Sequence, residues 1–126
     1  MTNIKNYYTA LNNEGFDANK WFAEKVSAYI SKSNITPDEI NRLHRENTEF
    51  VNKNCAIQDS SFTLNRTENE INYFQFECNF TCYRTSKNKY QSCNIQVEIG
   101  INSTNDKFTS YKELKVSNLK FTNDKP

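Results

Sequence analysis

The sequence predicts an α+β domain in which three N-terminal helices pack on a curved, mainly antiparallel sheet. The period of the apolar residues changes near Cys55, from helical spacing before it to alternation with polar residues after it. Helices followed by a run of strands are typical of the α+β class. The length of 126 residues fits one core, so residues 1–126 are interpreted as a single domain.

Two helices are predicted at the N-terminus. The first carries one apolar stripe at helical spacing, formed by Ile4, Tyr7, Tyr8 and Leu11. The second begins after Asp17, a residue type that caps helices, and is expected to end near residue 24. The alternation over residues 26–30 favours a short edge strand after this helix.

The segment from Ile35 to Ile40 carries the strongest helix-start signal in the chain. Thr36 is a suitable N-cap, Pro37 takes the first helical position and Glu39 completes a capping box, so a third helix is predicted from Pro37. The residues expected on its inner face are Ile40, Leu43, His44, Phe50 and Val51.

Four strands are predicted in the second half, over residues 55–64, 71–84, 91–101 and 109–121. In the second and third strands every second residue is apolar, so one face of the sheet is expected to be packed and the other wet. The apolar set is Phe74, Phe76, Cys78, Phe80 and Cys82, then Cys93, Ile95, Val97, Ile99 and Ile101.

The last strand changes phase along its length. Leu114 and Val116 alternate in step with each other, but Leu119 and Phe121 are one residue out of step with them. An extra residue in one strand of a pair produces such a slip. The sequence therefore predicts a β-bulge at residues 117–118.

Charge and composition exclude two classes of partner. Sixteen basic and fifteen acidic residues give a net charge of +1, so no binding of nucleic acid is expected. The apolar runs are far shorter than the ~20 residues that span a bilayer, and the N-terminus does not resemble a signal peptide, so no membrane association is expected. Because the chain has only two glycines, asparagine is expected to fill many turn positions.

The four cysteines leave two interpretations open. If Arg84 and Gln91 close a hairpin, Cys82 lies opposite Cys93 and a cross-strand disulfide is possible. However, Cys78, Cys82 and Cys93 all fall on the apolar face, where a reduced cysteine behaves as a small hydrophobe, so free thiols and a cytoplasmic location are favoured. Cys78 and Cys82 would lie ~13 Å apart along a strand, too far to share a zinc ion, and no metal or other cofactor is expected.

Three segments resemble the nuclear transport factor 2-like superfamily, which includes ketosteroid isomerase and polyketide-cyclase-like proteins. They read NYYTALNNEGFDANKWFAEKV, ITPDEINRL and SYKELKVSNLKF. The resemblance implies a cystatin-like cone, with a curved sheet wrapped on three helices around a pocket, and homodimers formed through the sheet. Members of this superfamily range from enzymes to catalytically silent accessory domains, so the fold leaves the function open.

Acid–base residues of the isomerase-like members are not matched here, because the inward strand positions carry apolar residues and cysteines. The hairpin register considered above would place Glu77 opposite Glu98 on the wet face, where a repelling pair could raise one pKa. The candidates for a pocket are Tyr8, Trp21 and His44. His44 could act as a base or be a hydrogen-bonded boundary residue, and the two aromatic residues could line a ligand site or fill the core.

Two functions are therefore considered, with a third that needs no pocket. The first is a non-catalytic accessory module that binds a small apolar ligand or dimerises through its sheet. The alternative is a small polyketide-cyclase-like lyase or isomerase, with His44 and a tyrosine such as Tyr8 transferring protons. The third is a purely structural domain whose cone is filled by aromatic side chains.

Overall fold

The computed structural model describes residues 2–13 and 15–126 of the chain, and within them it is an α+β protein. The predicted outline is kept, since the last helix is followed by a run of strands, but seven strands are present where the sequence predicted five. The elements are α1 Thr2–Leu11, β1 Val26–Tyr29, β2 Lys32–Ile35, α2 Pro37–Glu46, β3 Phe50–Ile57, β4 Thr63–Glu68, β5 Ile71–Arg84, β6 Lys89–Asn102 and β7 Phe108–Thr122.

One mixed, open sheet contains all seven strands. Along the sheet the order is β2-β1-β7-β6-β5-β3. On one edge of β5, β4 pairs with the N-terminal half and β3 pairs with the C-terminal half. The pairing of β1 with β7 is parallel and the remaining pairs are antiparallel. The predicted strand 55–64 is therefore two strands, separated by a 3-10 turn at Asp59–Ser61.

The helices cover one face of this sheet, as the alternating pattern predicted. Ile4 and Tyr7 of α1 and Ile40 of α2 are completely buried, and they belong to one core cluster with Phe76 and Val97 of the sheet. Burial of a large apolar side chain stabilises a fold by roughly 1.5–3 kcal/mol, so these side chains contribute to holding both helices on the sheet.

The prediction of three helices is wrong at the second one. Asp17 does cap, since its side chain accepts a hydrogen bond from the backbone N–H of Asn19, but the helical segment is a single 3-10 turn at Ala18–Lys20. Immediately afterwards the backbone of Trp21 accepts a hydrogen bond from Phe108 N–H, and Ala23 N–H donates to Phe108. The chain therefore pairs with the sheet before a second helical turn can form.

The short strand expected after this turn exists, but it is not at the edge of the sheet. β1 pairs with β7 on one side and with β2 on the other, and β2 is the edge strand.

The predicted start of the third helix is confirmed in α2. Thr36 Oγ1 accepts a hydrogen bond from Glu39 N–H at 3.3 Å, and Pro37 is the first helical residue. Phe50 and Val51, expected on that helix, lie in β3 instead.

Asparagine supplies many of the left-handed backbone positions, as expected for a chain so poor in glycine. In the part of the chain that the structure describes, five of the eight non-glycine residues with positive φ are asparagines. They are Asn34, Asn52, Asn69, Asn88 and Asn118. Asn118 lies where β7 slips against β6, between the pairs Ser92–Lys120 and Asn94–Ser117, so the bulge predicted at residues 117–118 is confirmed.

The pairing of β5 with β6 differs from the predicted register by two residues. Cys82 lies opposite Gln91, and Cys93 lies opposite Phe80. The predicted opposition of Cys82 and Cys93 is therefore wrong. A shift of two residues keeps every side chain on its own face, which is why the predicted apolar face is correct although the register is not.

The same shift separates the two carboxylates that were expected to face each other. Glu77 lies opposite Gln96, and Glu98 lies opposite Gln75. Glu98 is nearly inaccessible and is paired with Arg66 at 3.2 Å on the side of the sheet away from the helices. It is therefore a satisfied structural carboxylate and not half of a repelling pair.

Candidate functional site

A cavity lies between the apolar face of the sheet and the two helices. Its volume is about 550 Å³, and it is open to solvent on one side. The floor is formed by strands β5 and β6, through Cys78, Phe80, Cys93, Ile95 and Val97. The two helices and strands β1, β3 and β7 supply the walls.

Three of the exposed residues that line the cavity are large and apolar. Ile30, between β1 and β2, is 47 % exposed, and Val116 and Leu119 of β7 are 51 % and 52 % exposed. Exposed large apolar side chains that line a concavity are typical of a binding site for an apolar surface.

Two of the three predicted pocket residues lie on the cavity wall. Tyr8 lines it from α1 and His44 lines it from the last turn of α2. Trp21 packs instead in the aromatic cluster beside the cavity, with its ring 5.9 Å from that of Tyr7 and 6.3 Å from that of Phe108. Of the two roles considered for Trp21, these contacts favour a core residue.

The hydroxyl groups of Tyr8 and Tyr111 form a short hydrogen bond across the cavity wall, with an Oη–Oη distance of 2.6 Å. Tyr8 is 3 % exposed and Tyr111 is 5 % exposed. Burial raises the pKa of both phenols well above the usual value of tyrosine. The pair is therefore neutral at physiological pH and can donate or accept a hydrogen bond but carries no charge.

Two basic side chains that line the cavity, His44 and Lys53, have a lowered pKa. Burial, and next the charge of Lys53, lower the pKa of His44, whose ring packs 5.0 Å from that of Phe16. Burial also lowers the pKa of Lys53. His44 is therefore predominantly an uncharged imidazole at neutral pH, a state in which it can accept a proton.

A bulge in β3 brings Lys53 to the cavity. Val51 pairs with Tyr83 and Asn54 pairs with Thr81, so Asn52 and Lys53 together lie opposite the single residue Cys82. Asn52 takes up the extra length with a left-handed backbone, at φ 53°. Sequence analysis missed Lys53 because residues 50–54 were assigned to a helix and to the turn after it.

A second bulge brings a carboxylate to the opposite wall. Glu113 pairs with Val97 and Lys115 pairs with Gln96, so Leu114 is an extra residue in β7. Glu113 is an exposed residue that lines the cavity, and partial desolvation of its carboxyl group raises its pKa. The sequence had indicated that no acid faces the pocket, and Glu113 corrects that interpretation.

Arg84 lines one end of the cavity. Its guanidinium donates to Glu49 at 3.2 Å and to Gln91 at 2.7 Å, and it lies over the ring of Phe50 at 4.3 Å. These contacts already use much of its hydrogen-bonding capacity. Arg84 is therefore a fixed part of the wall.

Three of the cysteines line the cavity, and none of the four is in a disulfide bond. Cys55 and Cys78 are hydrogen-bonded, with their sulfur atoms 4.0 Å apart. This contact, and next burial, raise the pKa of Cys55, while the same hydrogen bond lowers the pKa of Cys78. Within residues 2–13 and 15–126, no group of three or more histidine, cysteine, aspartate or glutamate side chains has a geometry that could hold a metal ion.

Comparison of the chain with protein-family models, with curated proteins and with solved structures gave no match. In the part of the chain that the structure describes, no helix has the length and apolar character needed to cross a membrane. The geometry of the cavity is therefore the basis on which a function can be assigned.

Proposed function

We propose that the protein is a non-catalytic module that binds a small molecule with an apolar body. The observation that carries this proposal is the open cavity of about 550 Å³, which falls inside the ~300–1,000 Å³ range of small-ligand sites. Its wall is mainly apolar and carries a few polar groups at separate places, as expected where an apolar body must be both held and oriented.

The experiment is native mass spectrometry of the freshly isolated protein, before and after addition of a panel of small apolar compounds. A Val116→Trp variant, which places a large ring at the opening, should lose the bound species. Leu64→Trp is the matched control, because Leu64 is 55 % exposed on β4, away from the cavity. An empty wild-type protein that retains no compound of the panel contradicts the proposal.

We also propose that the chain is a nuclear transport factor 2-like domain. Support comes from the element order, with a helix, a short hairpin, a second helix and long antiparallel strands enclosing a cavity. Homodimerisation through the outer sheet face and a cytoplasmic location belong to this proposal. Sedimentation equilibrium tests the first, and a monomer at micromolar concentration contradicts it. The cytoplasmic location, where thiols stay reduced, is tested by titration of all four thiols in denaturant without reductant.

A second candidate function is a proton-transferring lyase or isomerase. The observation in its favour is that the cavity wall holds an uncharged imidazole, His44, together with the carboxyl group of Glu113, whose pKa is raised. Groups whose environments move their pKa values toward neutrality are suited to acid–base catalysis. The Tyr8–Tyr111 pair could then donate a hydrogen bond to a carbonyl oxygen.

Exchange of α-protons of enolisable ketones in deuterated water, followed by NMR, tests this second function. Exchange catalysed by the wild-type protein should be lost in His44→Ala and in Glu113→Gln. Glu46→Gln is a control on the exposed side of α2, where Glu46 pairs with Arg42. Equal exchange in all variants would assign the protein to binding alone.

A further inference from the structure

The cavity wall has an excess of positive charge. Its cationic side chains are Lys32, Lys53 and Arg84, whereas Glu113 is the single carboxylate among its lining residues in the described part of the chain. Arg84 is already paired with Glu49, so it is neutralised within the protein. The net charge of the whole chain is only +1, so this excess is a property of the cavity and not of the surface in general.

Lys53 has no counter-ion, in contrast to two other buried or half-buried charges of the described chain. Arg84 has Glu49, and Glu98 has Arg66, both at 3.2 Å. Across the described residues, 2–13 and 15–126, no carboxylate oxygen lies within 4.0 Å of Lys53 Nζ. A partly buried ammonium without a partner is unfavourable, and an anion from outside the protein would supply the missing interaction.

The surroundings of Lys53 are suited to binding an anion, which distinguishes it from an ordinary exposed lysine. The charged or titratable groups whose fields reach it are the thiols of Cys55 and Cys82 and the imidazole of His44. These are neutral at physiological pH in their ordinary protonation states, and burial lowers the pKa of Lys53 itself. The β3 bulge, with Asn52 in a left-handed conformation, is the backbone feature that directs this ammonium to the cavity.

We propose that the ligand of the cavity is an organic anion, with an apolar body held between the helices and the sheet and an anionic head group bound by Lys53. The inference rests on the proposed function, because it names the chemical class of the same ligand. The head group would lie at the β3 side of the cavity, and Glu113 on β7 would meet the uncharged part of the ligand, where its carboxyl group can bind a hydroxyl or amide hydrogen.

Two fluorescent probes with the same aromatic body test this inference. One is 8-anilinonaphthalene-1-sulfonate, and the other is the uncharged N-phenyl-1-naphthylamine, which lacks the sulfonate. The wild-type protein should bind the sulfonate more tightly than the amine. Lys53→Met should weaken sulfonate binding by about ten- to a hundredfold and leave amine binding unchanged, which is the range expected for a lost charge-assisted hydrogen bond.

Two further variants separate the head-group site from net charge and from folding. Lys115→Met removes the same charge from a residue opposite Gln96 on the outer face, and it should change neither affinity by more than about twofold. Lys53→Arg keeps the charge and should retain most of the preference for the sulfonate. Unchanged binding of the amine shows that each variant is folded.

The outcomes distinguish this inference from the function on which it rests. If neither probe binds, the proposed function fails, and the inference fails with it. If the amine binds but the sulfonate gains nothing, or if Lys53→Met changes both affinities equally, the cavity is a binding site without an anion subsite and only the inference is overturned.

Discussion

Replacement of Tyr8 by phenylalanine tests the hydrogen bond that joins α1 to β7. The hydroxyl of Tyr8 is bonded to that of Tyr111 at 2.6 Å, and both side chains are almost inaccessible. Tyr8→Phe removes one hydroxyl group and leaves the Tyr111 hydroxyl buried without this partner. Tyr111→Phe does the reverse, and the double variant removes both groups.

The expected magnitude follows from the difference between removing one hydroxyl group, which leaves the other unpaired, and removing both. An unsatisfied buried hydroxyl costs about 1–3 kcal/mol, so each single substitution should lower the free energy of unfolding by that amount. Removing both hydroxyls leaves two phenylalanine rings among aromatic neighbours, which is close to neutral. The double variant should therefore be more stable than the sum of the single changes by about 2–6 kcal/mol.

Urea unfolding followed by circular dichroism measures the effect. With a slope of ~1.5 kcal/mol/M, each single variant should unfold at a urea concentration lower by about 0.7–2 M, and the double variant should unfold near the wild-type midpoint. Additive losses in the double variant would refute the reasoning. Single variants that lose less than ~0.5 kcal/mol would mean that cavity water satisfies the remaining hydroxyl.

Three further results are expected. Burial raises the pKa of four of the seven tyrosines, so the unfolded chain loses these phenolic protons first and the free energy of unfolding should fall as pH rises above about 10; tyrosinate absorbance equivalent to more than three tyrosines before unfolding would contradict this. Thr36→Ala should destabilise the protein by about 1 kcal/mol through loss of the α2 cap, whereas Thr36→Ser should not. Because the pKa of Glu113 is raised in the folded state, its ionisation opposes folding above the unfolded pKa; Glu113→Gln should stabilise the protein at pH 7, and the gain should disappear by about pH 4. A gain that is equal at both pH values would contradict the last expectation.

Local signals in the sequence were sufficient wherever a structure depends on a few neighbouring residues. The cap formed by Thr36, Pro37 and Glu39 begins α2 as predicted, and the slip at Asn118 occurs where the phase of the apolar residues changes. Both features are determined by a few consecutive residues. The cap is made within this short segment, and the change of phase marks where the strand pairing must slip, so the sequence predicts both directly.

The second helix could not be predicted because it depends on a distant strand. Asp17 provides the correct start signal. Its side chain accepts one hydrogen bond from the backbone N–H of Asn19 and another from the side-chain amide of Asn41. The helix ends after one turn because Trp21 and Ala23 bond to the backbone of Phe108, which lies near the other end of the chain. Tertiary hydrogen bonds of this kind override a local propensity that is worth only tenths of a kcal/mol per residue.

The register of β5 and β6 illustrates a limit of alternation. Any shift by two residues preserves the apolar face, so the pattern that correctly predicted the packed side chains contains no information about which cross-strand pairs form. The pairing is fixed instead by the turn, where Asn88 adopts a left-handed conformation and lets Arg84 pair with Lys89. The opposition of Cys82 to Gln91 results from that turn.

Two charged residues of the candidate site, Lys53 and Glu113, were missed for a related reason, because each lies beside a bulge, where simple alternation does not predict the face of a side chain. In β7, Leu114 and Val116 alternate as if both faced the helices, but Leu114 is the extra residue of a bulge, and the inward positions are Val116 and Glu113. In β3 the slip at Asn52 has the same effect for Lys53. A bulge moves a side chain from one face of the sheet to the other without any change in the pattern of the sequence. The alternation of apolar and polar residues therefore does not show that a charged residue faces the cavity. Lys53 and Glu113 therefore both reach the cavity beside a bulge.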